Sequence, residues 1–154
     1  MQETPPNVSF ATGDLLDAQA EAICNPVNLV GVMGRGLALQ FRRRWPSSFL
    51  AYRDALRDGQ LGHGLVHAHR LPDGQHVLHC PTKDDWRDPS PIALVRATIN
   101  AIGPCCVEYG IGSVAVPPLG CGLGGLDRND VRALLLAAAT RHPRLRWLLY
   151  MPAR

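Results

Sequence analysis

Residues 22–41, AICNPVNLVGVMGRGLALQF, carry the pattern that decides the fold. Residues 22–27 are a short apolar run, which is typical of a buried strand. Residues 28–36 contain three glycines and predict a loop. Apolar residues then recur at positions 37, 38, 41 and 45, which is helical spacing, and Pro46 ends that helix. A buried strand that leads through a loop into a helix predicts an α/β fold.

A second unit of the same kind lies further along the chain. Residues 113–116 predict a short strand, residues 117–126 (PPLGCGLGGL) predict a second glycine-rich loop, and Asp127 is predicted to cap a helix that runs to about residue 142. Glycine loops that precede helices expose backbone N–H groups and can hold anions. At the strand ends of one open sheet, the two loops would face a common crevice suited to a diphosphate. The alternative is that the glycines only make tight turns.

The remaining segments continue the alternation of strands and helices. Residues 64–70 and 75–80 predict a hairpin around the turn at 72–74, and the strands nearest the chain ends are predicted at 7–12 and 146–150. Because a hairpin pairs its strands antiparallel, the sheet is expected to be mixed. The prediction is therefore a three-layer α/β/α fold with a mixed central sheet, built as a single domain over residues 1–154.

Two further helices are predicted from their capping residues. Ser47 is expected to cap one helix, and Ser90 is expected to cap another that ends near Gly110. Pro104 lies inside the second pattern and predicts a kink or an early break. The polar, proline-rich segment 81–91 is predicted to be a loop.

Composition and charge exclude several classes of protein. The 154 residues include no apolar run long enough to cross a bilayer, and the first ten residues lack a signal-peptide pattern, so no membrane partner and a cytoplasmic location are expected. The net charge of +3 permits an anionic partner without requiring one. The basic run 42–44 is expected to be a solvated helix end. A monomer without a cofactor is expected.

The cysteines and histidines do not predict a metal site. Five cysteines without framework spacing or a C-x-x-C pair indicate free thiols, and no metal is expected. Five histidines lie in or near the predicted hairpin: His63, His67, His69, His76 and His79. Alternation places His67 and His69 on one face of a strand, where zinc is conceivable, but ordinary exposed histidines are the preferred interpretation of this group. Cys121 could be interpreted as a nucleophile, although packing beside the loop is preferred because no histidine partner is evident.

Lys83 is the one lysine in a chain with fifteen arginines. A coding bias towards arginine explains the arginines but does not explain the exception. Lysine differs from arginine because it can lose its proton when desolvated and then act as a nucleophile. The neighbourhood of Lys83 is therefore the first place to look for chemistry.

Taken together, these stretches resemble the macrodomain family. Residues 25–41 resemble the first ligand loop of macrodomains, residues 117–127 resemble the second, and Gly13-Asp14 resembles the pair that precedes the first helix there. The segments GVMGRGLALQF, PTK (81–83) and GCGLGGLD are similar to the branch that contains antitoxin DNA ADP-ribosyl glycohydrolases and terminal ADP-ribose protein glycohydrolases.

The resemblance implies an enzyme that binds ADP-ribose and hydrolyses mono-ADP-ribose from an ADP-ribosylated protein or DNA. It implies that Asp14 meets the adenine amino group, that the two loops wrap the diphosphate, and that Lys83 and Asn28 are the catalytic residues at the distal ribose. The implied ligand-binding residues are Asp14, Leu15, Asn25, Gly31, Val32, Met33, Gly34, Arg35, Gly36, Thr82, Pro118, Leu119, Gly120, Cys121, Gly122, Leu123 and Gly124.

One position departs from the family pattern. In the protein-directed members an acidic residue in the second loop assists the lysine, and the matching position here is Gly124. Asp127 is the nearest carboxylate in sequence, but a helix cap explains it equally well. Acidic protein side chains and DNA bases therefore both stay open as carriers of the ADP-ribose. A non-catalytic ADP-ribose-binding module and an O-acetyl-ADP-ribose deacetylase are the alternative functions.

The residue roles also leave alternatives open. Lys83 could attack the anomeric carbon as a neutral amine or stabilise the leaving group as a cation, and an exposed, solvated lysine is the alternative to both. Asn28 could be a turn residue, and Tyr150 could line the adenine pocket or belong to the core. Trp86 and Arg87 could contact the target beyond the ribose or only pack on the surface.

Overall fold

A computed structural model describes residues 3–154 as a six-stranded sheet with helices on both faces. The elements in chain order are β1 (Val8–Phe10), β2 (Ala22–Asn28), α1 (Gly36–Arg44), α2 (Pro46–Arg57), β3 (His67–Arg70), β4 (His76–Lys83), α3 (Ile92–Glu108), β5 (Ser113–Val116), α4 (Arg128–Arg141) and β6 (Arg146–Leu149). A 3-10 turn, Leu15–Asp17, precedes β2. No helix in the described range is both long and apolar enough to cross a bilayer.

The sheet is mixed, as predicted. Its strand order is β1-β6-β5-β2-β4-β3, and every neighbouring pair is parallel except the β3–β4 hairpin. Because β2, β4 and β5 run parallel, their carboxyl ends lie at one edge of the sheet. The loops that follow them meet there, which is where open α/β sheets bind ligands.

The two faces of the sheet bury separate apolar clusters. Helices α3 and α4 cover one face, where Ile99, Leu135 and Trp147 are fully buried. Helices α1 and α2 cover the other face with Phe41 and Tyr52, which are also fully buried. Fully burying such a side chain stabilises the fold by about 1.5–3 kcal/mol. The predicted three-layer α/β/α architecture is confirmed.

Strand β4 extends further than predicted, through the first part of the segment interpreted as a loop. Pro81, Thr82 and Lys83 belong to this strand. A proline is tolerated because β3 pairs with β4 only as far as His79, so the side of Pro81 away from β2 has no strand to bond. The register then skips Thr82, since Val27 pairs with Pro81 and Asn28 pairs with Lys83.

The predicted side-chain caps of two helices are wrong. Helix α2 begins at Pro46, whose ring suits the first turn, so Ser47 lies inside it. Helix α3 begins at Ile92 without a side-chain cap, and Ser90 is instead buried beneath the second glycine loop. Pro104 neither breaks nor ends α3, because it removes only one hydrogen bond from a helix that buries several side chains on both sides of it.

The remaining boundaries agree with the predictions to within a few residues. Asp127 caps α4, and its carboxylate accepts hydrogen bonds from the backbone N–H groups of Asn129 and Asp130. Tyr109 ends α3, and Gly110 follows it with φ +67°, a conformation that favours glycine. The basic run 42–44 lies in the exposed last turn of α1, as expected.

Candidate active site

A cavity of about 520 Å³ opens at the carboxyl ends of β2, β4 and β5, between the two glycine loops. This volume is in the range typical of small-molecule and cofactor sites. The first loop, residues 29–35, follows β2, and the second loop, residues 117–126, follows β5. The lining residues are Pro26, Val27, Asn28, Val32, Gly34, Arg35, Gly36, Leu37, Ala38, Thr82, Lys83, Trp86, Ser90, Pro117, Pro118, Gly120, Gly122, Leu123 and Gly124.

Asn28 holds the first loop together. Its Nδ2 donates to the Val32 backbone oxygen at 2.7 Å, and its Oδ1 accepts from the N–H groups of Val30 (3.1 Å) and Val32 (3.3 Å). The residue does not adopt positive φ, so its side chain, not its backbone conformation, makes the turn. Asn28 lines the cavity while most of its hydrogen-bonding capacity is used within the loop.

Tyr52 supports this loop from below. Its hydroxyl lies 2.7 Å from both the backbone oxygen and Oδ1 of Asn28, and it accepts a hydrogen bond from Gly31 N–H at 3.1 Å. Burial raises the pKa of Tyr52 to about 12, so the hydroxyl remains protonated and can donate. This role is not visible in the sequence, because a tyrosine on the apolar face of a helix has no motif that distinguishes it from core packing.

The second loop packs so tightly that position 124 has no room for a side chain. A Cβ atom built on Gly124 would overlap Ser90 Oγ and the Gly120 backbone oxygen. Ser90 N–H donates to the Gly124 backbone oxygen at 2.9 Å and fixes the loop in this position. The departure noted at position 124 therefore has a steric cause in this loop conformation.

Lys83 is the last residue of β4 and reaches across the cavity. Its Nζ donates to the backbone oxygens of Trp86 and Leu123, each at 3.3 Å, and so connects one wall to the second loop. Desolvation and the nearby Arg35 guanidinium lower the pKa of Lys83, and Asp88 opposes this shift. A lowered pKa is what a lysine needs to act as a nucleophile.

The structure brings most of the predicted site residues together. Twelve of them line the cavity: Asn28, Val32, Gly34, Arg35, Gly36, Thr82, Lys83, Pro118, Gly120, Gly122, Leu123 and Gly124. The others do not line it. Asn25, Met33 and Leu119 are fully buried, and Leu15 packs in the cluster under α1. Gly31 bonds to the Tyr52 hydroxyl, Cys121 is half-buried in the second loop, and exposed Asp14 caps the 3-10 turn by accepting from Leu16 N–H.

Several lining residues escaped the sequence analysis. The apolar members Val27 and Leu37 look like ordinary strand and helix core positions, and Ser90 looks like a helix cap. The only feature of the sequence that could have identified them as lining residues is that they lie next to the predicted loops. The remaining residues of this kind are Pro26, Ala38 and Pro117.

The interpretation of the histidines as ordinary exposed residues is wrong for His79. His79 is fully buried under α2, where its ring stacks on His67 at 5.8 Å and its Nδ1 lies 3.5 Å from Asn25 Nδ2. Burial, together with the nearby His67 and His69, lowers the pKa of His79 to about 3, so this imidazole is neutral. Asn25 therefore serves the polar interior and not the cavity.

Contacts in the structure bear on three other questions that the sequence raises. Burial raises the pKa of Cys121, which favours packing over a role as nucleophile. Tyr150 packs against the cluster that contains Leu15 and Leu16, as a core tyrosine would. Across residues 3–154, no three His, Cys, Asp or Glu side chains converge in a way that could hold a metal ion.

Comparison with known proteins gives a consistent result. The family model described as Macro domain matches residues 24–135. A Mycobacterium tuberculosis protein named DNA ADP-ribosyl glycohydrolase is 42% identical over 149 residues, which cover 95% of this chain but only 42% of that protein. A Thermus aquaticus protein of the same name is 39% identical over 126 residues, covering 80% of this chain and 35% of that protein. The chain thus spans less than half the length of these curated relatives.

Solved structures agree with the sequence comparison. The macrodomain of Mycobacterium tuberculosis DarG has a TM-score of 0.88 and 42% identity, covering 95% of this chain and 98% of that one. Thermosipho africanus DarTG in complex with ADP-ribose has a TM-score of 0.88 and 30% identity, covering 96% of this chain and 42% of that one.

Proposed function

The chain belongs to the Macro domain family, and from this premise we propose that it binds ADP-ribose between its two glycine loops and hydrolyses the bond that joins ADP-ribose to a DNA base. The activity for which the Mycobacterium tuberculosis and Thermus aquaticus relatives are named supports the reaction. The Thermosipho africanus structure in complex with ADP-ribose supports the ligand. The proposed enzyme works as a monomer, because one chain supplies both loops and Lys83. It needs no metal or cofactor, because the proposed reaction requires only a lysine and water.

The observation that carries the proposal is the position of Lys83. Its Nζ lies between the wall that contains Trp86 and the second glycine loop, so a ligand held by both loops would present its far end to the amine. The backbone N–H groups of the loops suit a diphosphate, and the ribose beyond it would then lie beside Lys83. A glycosidic carbon at that place is within reach of a nucleophile.

In the nucleophilic mechanism, neutral Lys83 attacks the anomeric carbon of the distal ribose. The new Nζ–C1″ bond forms as the bond from C1″ to the base nitrogen breaks, with oxocarbenium character in the transition state. The electron pair leaves with the base, and the proton lost by the amine neutralises it. Water then attacks C1″ of the covalent adduct, which releases ADP-ribose and regenerates the lysine.

An electrostatic mechanism is the alternative, in which Lys83 stays protonated and stabilises the departing group. The lowered pKa of Lys83 favours the nucleophilic version, since desolvation and Arg35 both disfavour the ammonium form. The two versions predict opposite pH profiles. Nucleophilic attack becomes faster as pH rises through the lysine pKa, whereas electrostatic stabilisation is lost there.

A DNA base is proposed as the leaving group in preference to an acidic protein side chain because the second loop offers no carboxylate to the lysine. Position 124 cannot hold a side chain in this loop, and Asp127 already accepts two backbone hydrogen bonds as the cap of α4. Release of a carboxylate ester with the acid assistance used by protein-directed members is therefore not supported.

The test compares wild type, Lys83→Ala and Lys83→Arg on three substrates: a DNA oligonucleotide ADP-ribosylated on a base, a protein ADP-ribosylated on glutamate, and O-acetyl-ADP-ribose. We expect release from DNA only, abolished in both variants, while calorimetric ADP-ribose affinity stays within about tenfold. Arginine keeps the charge but cannot lose its proton, so activity in Lys83→Arg would indicate the electrostatic mechanism.

The other outcomes overturn parts of the proposal. Release of acetate from O-acetyl-ADP-ribose alone would make the protein a deacetylase. Release from the modified protein alone would replace DNA by acidic side chains as the target. ADP-ribose binding without turnover on any of the three substrates would make the protein a binding module.

A further inference from the structure

Three exposed apolar side chains line the cavity, and two of them, Trp86 and Leu123, belong to residues that Lys83 contacts. Trp86 is 38% exposed and Leu123 is 61% exposed, and both line the cavity. Lys83 Nζ bonds to the backbone oxygens of both residues, so both residues lie next to the amine. Exposed apolar groups that border a binding site commonly mark contact with a ligand.

The indole of Trp86 is held in place before any ligand arrives. Arg35 lies over the ring at 5.2 Å from its centroid, and its guanidinium donates to the Trp86 backbone oxygen at 3.2 Å. Arg87 lies 5.6 Å from the same centroid and is itself fixed by two hydrogen bonds to Asp85, at 3.0 and 2.7 Å. An aromatic side chain fixed in this way loses little conformational freedom when it binds a partner.

The charges around the mouth are balanced. Lys83, Arg35 and Arg87 supply three positive charges. The carboxylates that follow Lys83 in the chain, Asp84, Asp85 and Asp88, supply three negative ones. Two of these carboxylates are already paired, Asp85 with Arg87 and Asp84 with His63. Such a surface disfavours an acidic peptide and gives a run of phosphates little net attraction. The occupant that fits it is flat, apolar on its faces and uncharged, which describes a nucleobase.

We propose that Trp86 is a positioning residue that stacks on the base carrying the ADP-ribose. The inference rests on the proposed function and deepens it by assigning the leaving-group side of the site. Stacking would hold the modified base at the mouth of the cavity and would favour binding of a DNA base over a side-chain ester. Base–aromatic stacking of this kind corresponds to about a 5- to 150-fold change in affinity.

The first test measures steady-state kinetics on an oligonucleotide with one ADP-ribosylated base. Trp86→Ala is expected to raise KM about 5- to 150-fold with kcat and ADP-ribose affinity within about twofold, and Trp86→Phe is expected to recover most of the loss. Leu50→Ala, on the outer face of α2 with 63% exposure, is the matched control and should change nothing. An unchanged KM in Trp86→Ala would overturn the proposal, and so would an equal loss of ADP-ribose affinity, which would make Trp86 structural.

The second test does not depend on turnover and therefore separates this inference from the proposed function. The tryptophan fluorescence of the wild-type protein, with ADP-ribose already bound, is titrated with an unmodified single-stranded oligodeoxynucleotide. Quenching that disappears in Trp86→Phe supports stacking even if the enzyme releases nothing from DNA. Quenching that persists in Trp86→Phe, or its absence in wild type, would overturn it. An equal loss of release from ADP-ribosylated protein in Trp86→Ala would also contradict a base-specific role.

Discussion

Removing the hydroxyl of Tyr52 is predicted to loosen the first glycine loop while leaving the apolar core intact. Tyr52→Phe keeps the ring that packs under the loop and deletes a single oxygen. That oxygen accepts the Gly31 N–H and shares its proton between the backbone oxygen and Oδ1 of Asn28. The substitution therefore tests the hydrogen bonds separately from the packing.

The size of the effect follows from the groups left without a partner. One donor, Gly31 N–H, and one acceptor on Asn28 lose their hydrogen bonds in a part-buried place, and each such group costs about 1–3 kcal/mol. Asn28 Oδ1 keeps two other donors, so the cost for each of the two groups is expected near the lower end of its range. The two groups together give an expected loss of about 2–3 kcal/mol in the free energy of unfolding. For a chain of this size that lowers Tm by about 4–12 °C.

The assay pairs thermal unfolding with calorimetric titration of ADP-ribose. Since the loop must be ordered to hold the ligand, we expect affinity to fall about tenfold in Tyr52→Phe. Tyr109→Phe makes the same chemical change at a half-exposed ring beyond α3 and is expected to stay within about 0.5 kcal/mol of wild type. Equal Tm values for the two variants would refute the assigned hydrogen bonds. A lower Tm with unchanged affinity would refute the coupling between the hydroxyl and the ligand loop.

Three further predictions test the second loop, the buried histidine and the anchoring of β1. Gly124→Ala would force a methyl group against Ser90 and is expected to lower the free energy of unfolding by about 1–3 kcal/mol, measured by thermal unfolding. Gly122→Ala is the control and should leave stability nearly unchanged, because nothing lies within 4 Å of a methyl group added there. Equal effects of the two substitutions would contradict the tight packing at position 124. His79 has an unfolded pKa of 6.5 and a folded pKa of about 3, so between these values only the unfolded state binds the proton and stability falls as pH falls. About 2 kcal/mol should be lost in urea titrations between pH 7 and pH 5, and an equal pH slope in His79→Gln would exclude this source. Asn7 donates to three backbone oxygens around the end of α4 at 2.9–3.0 Å. Asn7→Ala should therefore lower the midpoint of urea unfolding by an amount equivalent to about 1–3 kcal/mol. An unchanged midpoint would show that these hydrogen bonds make no net contribution to stability.

The parts of the fold that the sequence predicted correctly are governed by local patterns. The strand–loop–helix unit around residues 22–41 follows from an apolar run, three glycines and Pro46, and each of these acts within a few residues. The resemblance carried by residues 81–83 implied a site role for Lys83, and the structure places this residue at the crevice as the last residue of β4. These features needed no knowledge of which helix covers which face.

The parts that were missed depend on contacts between distant segments. His79 is buried only because α2 lies over that face of the sheet, and nothing in HAHR or HVLHC indicates this. Ser90 resembled a helix cap because serine often caps the helix that follows it. In the structure α3 has no side-chain cap, and Ser90 N–H donates to the Gly124 backbone oxygen. The supporting role of Tyr52 likewise required knowing that α2 ends up beneath the first loop.

The skipped register at Thr82 divides the pairing of β2 with β4 into a part that lies in the interior and a part that lies at the cavity. Up to Val27 and Pro81 the pairing of β2 with β4 is regular, and it fixes which side chains enter each face of the interior. After the skip, Asn28 stands opposite Lys83 in a register of its own. Substitutions that repack the interior along the regular part of β2 and β4 would therefore leave the pairing of Asn28 with Lys83 in place. The bulge thus divides the pairing of the interior from the pairing at the cavity, and a one-residue insertion or deletion there would change which residue stands opposite Lys83.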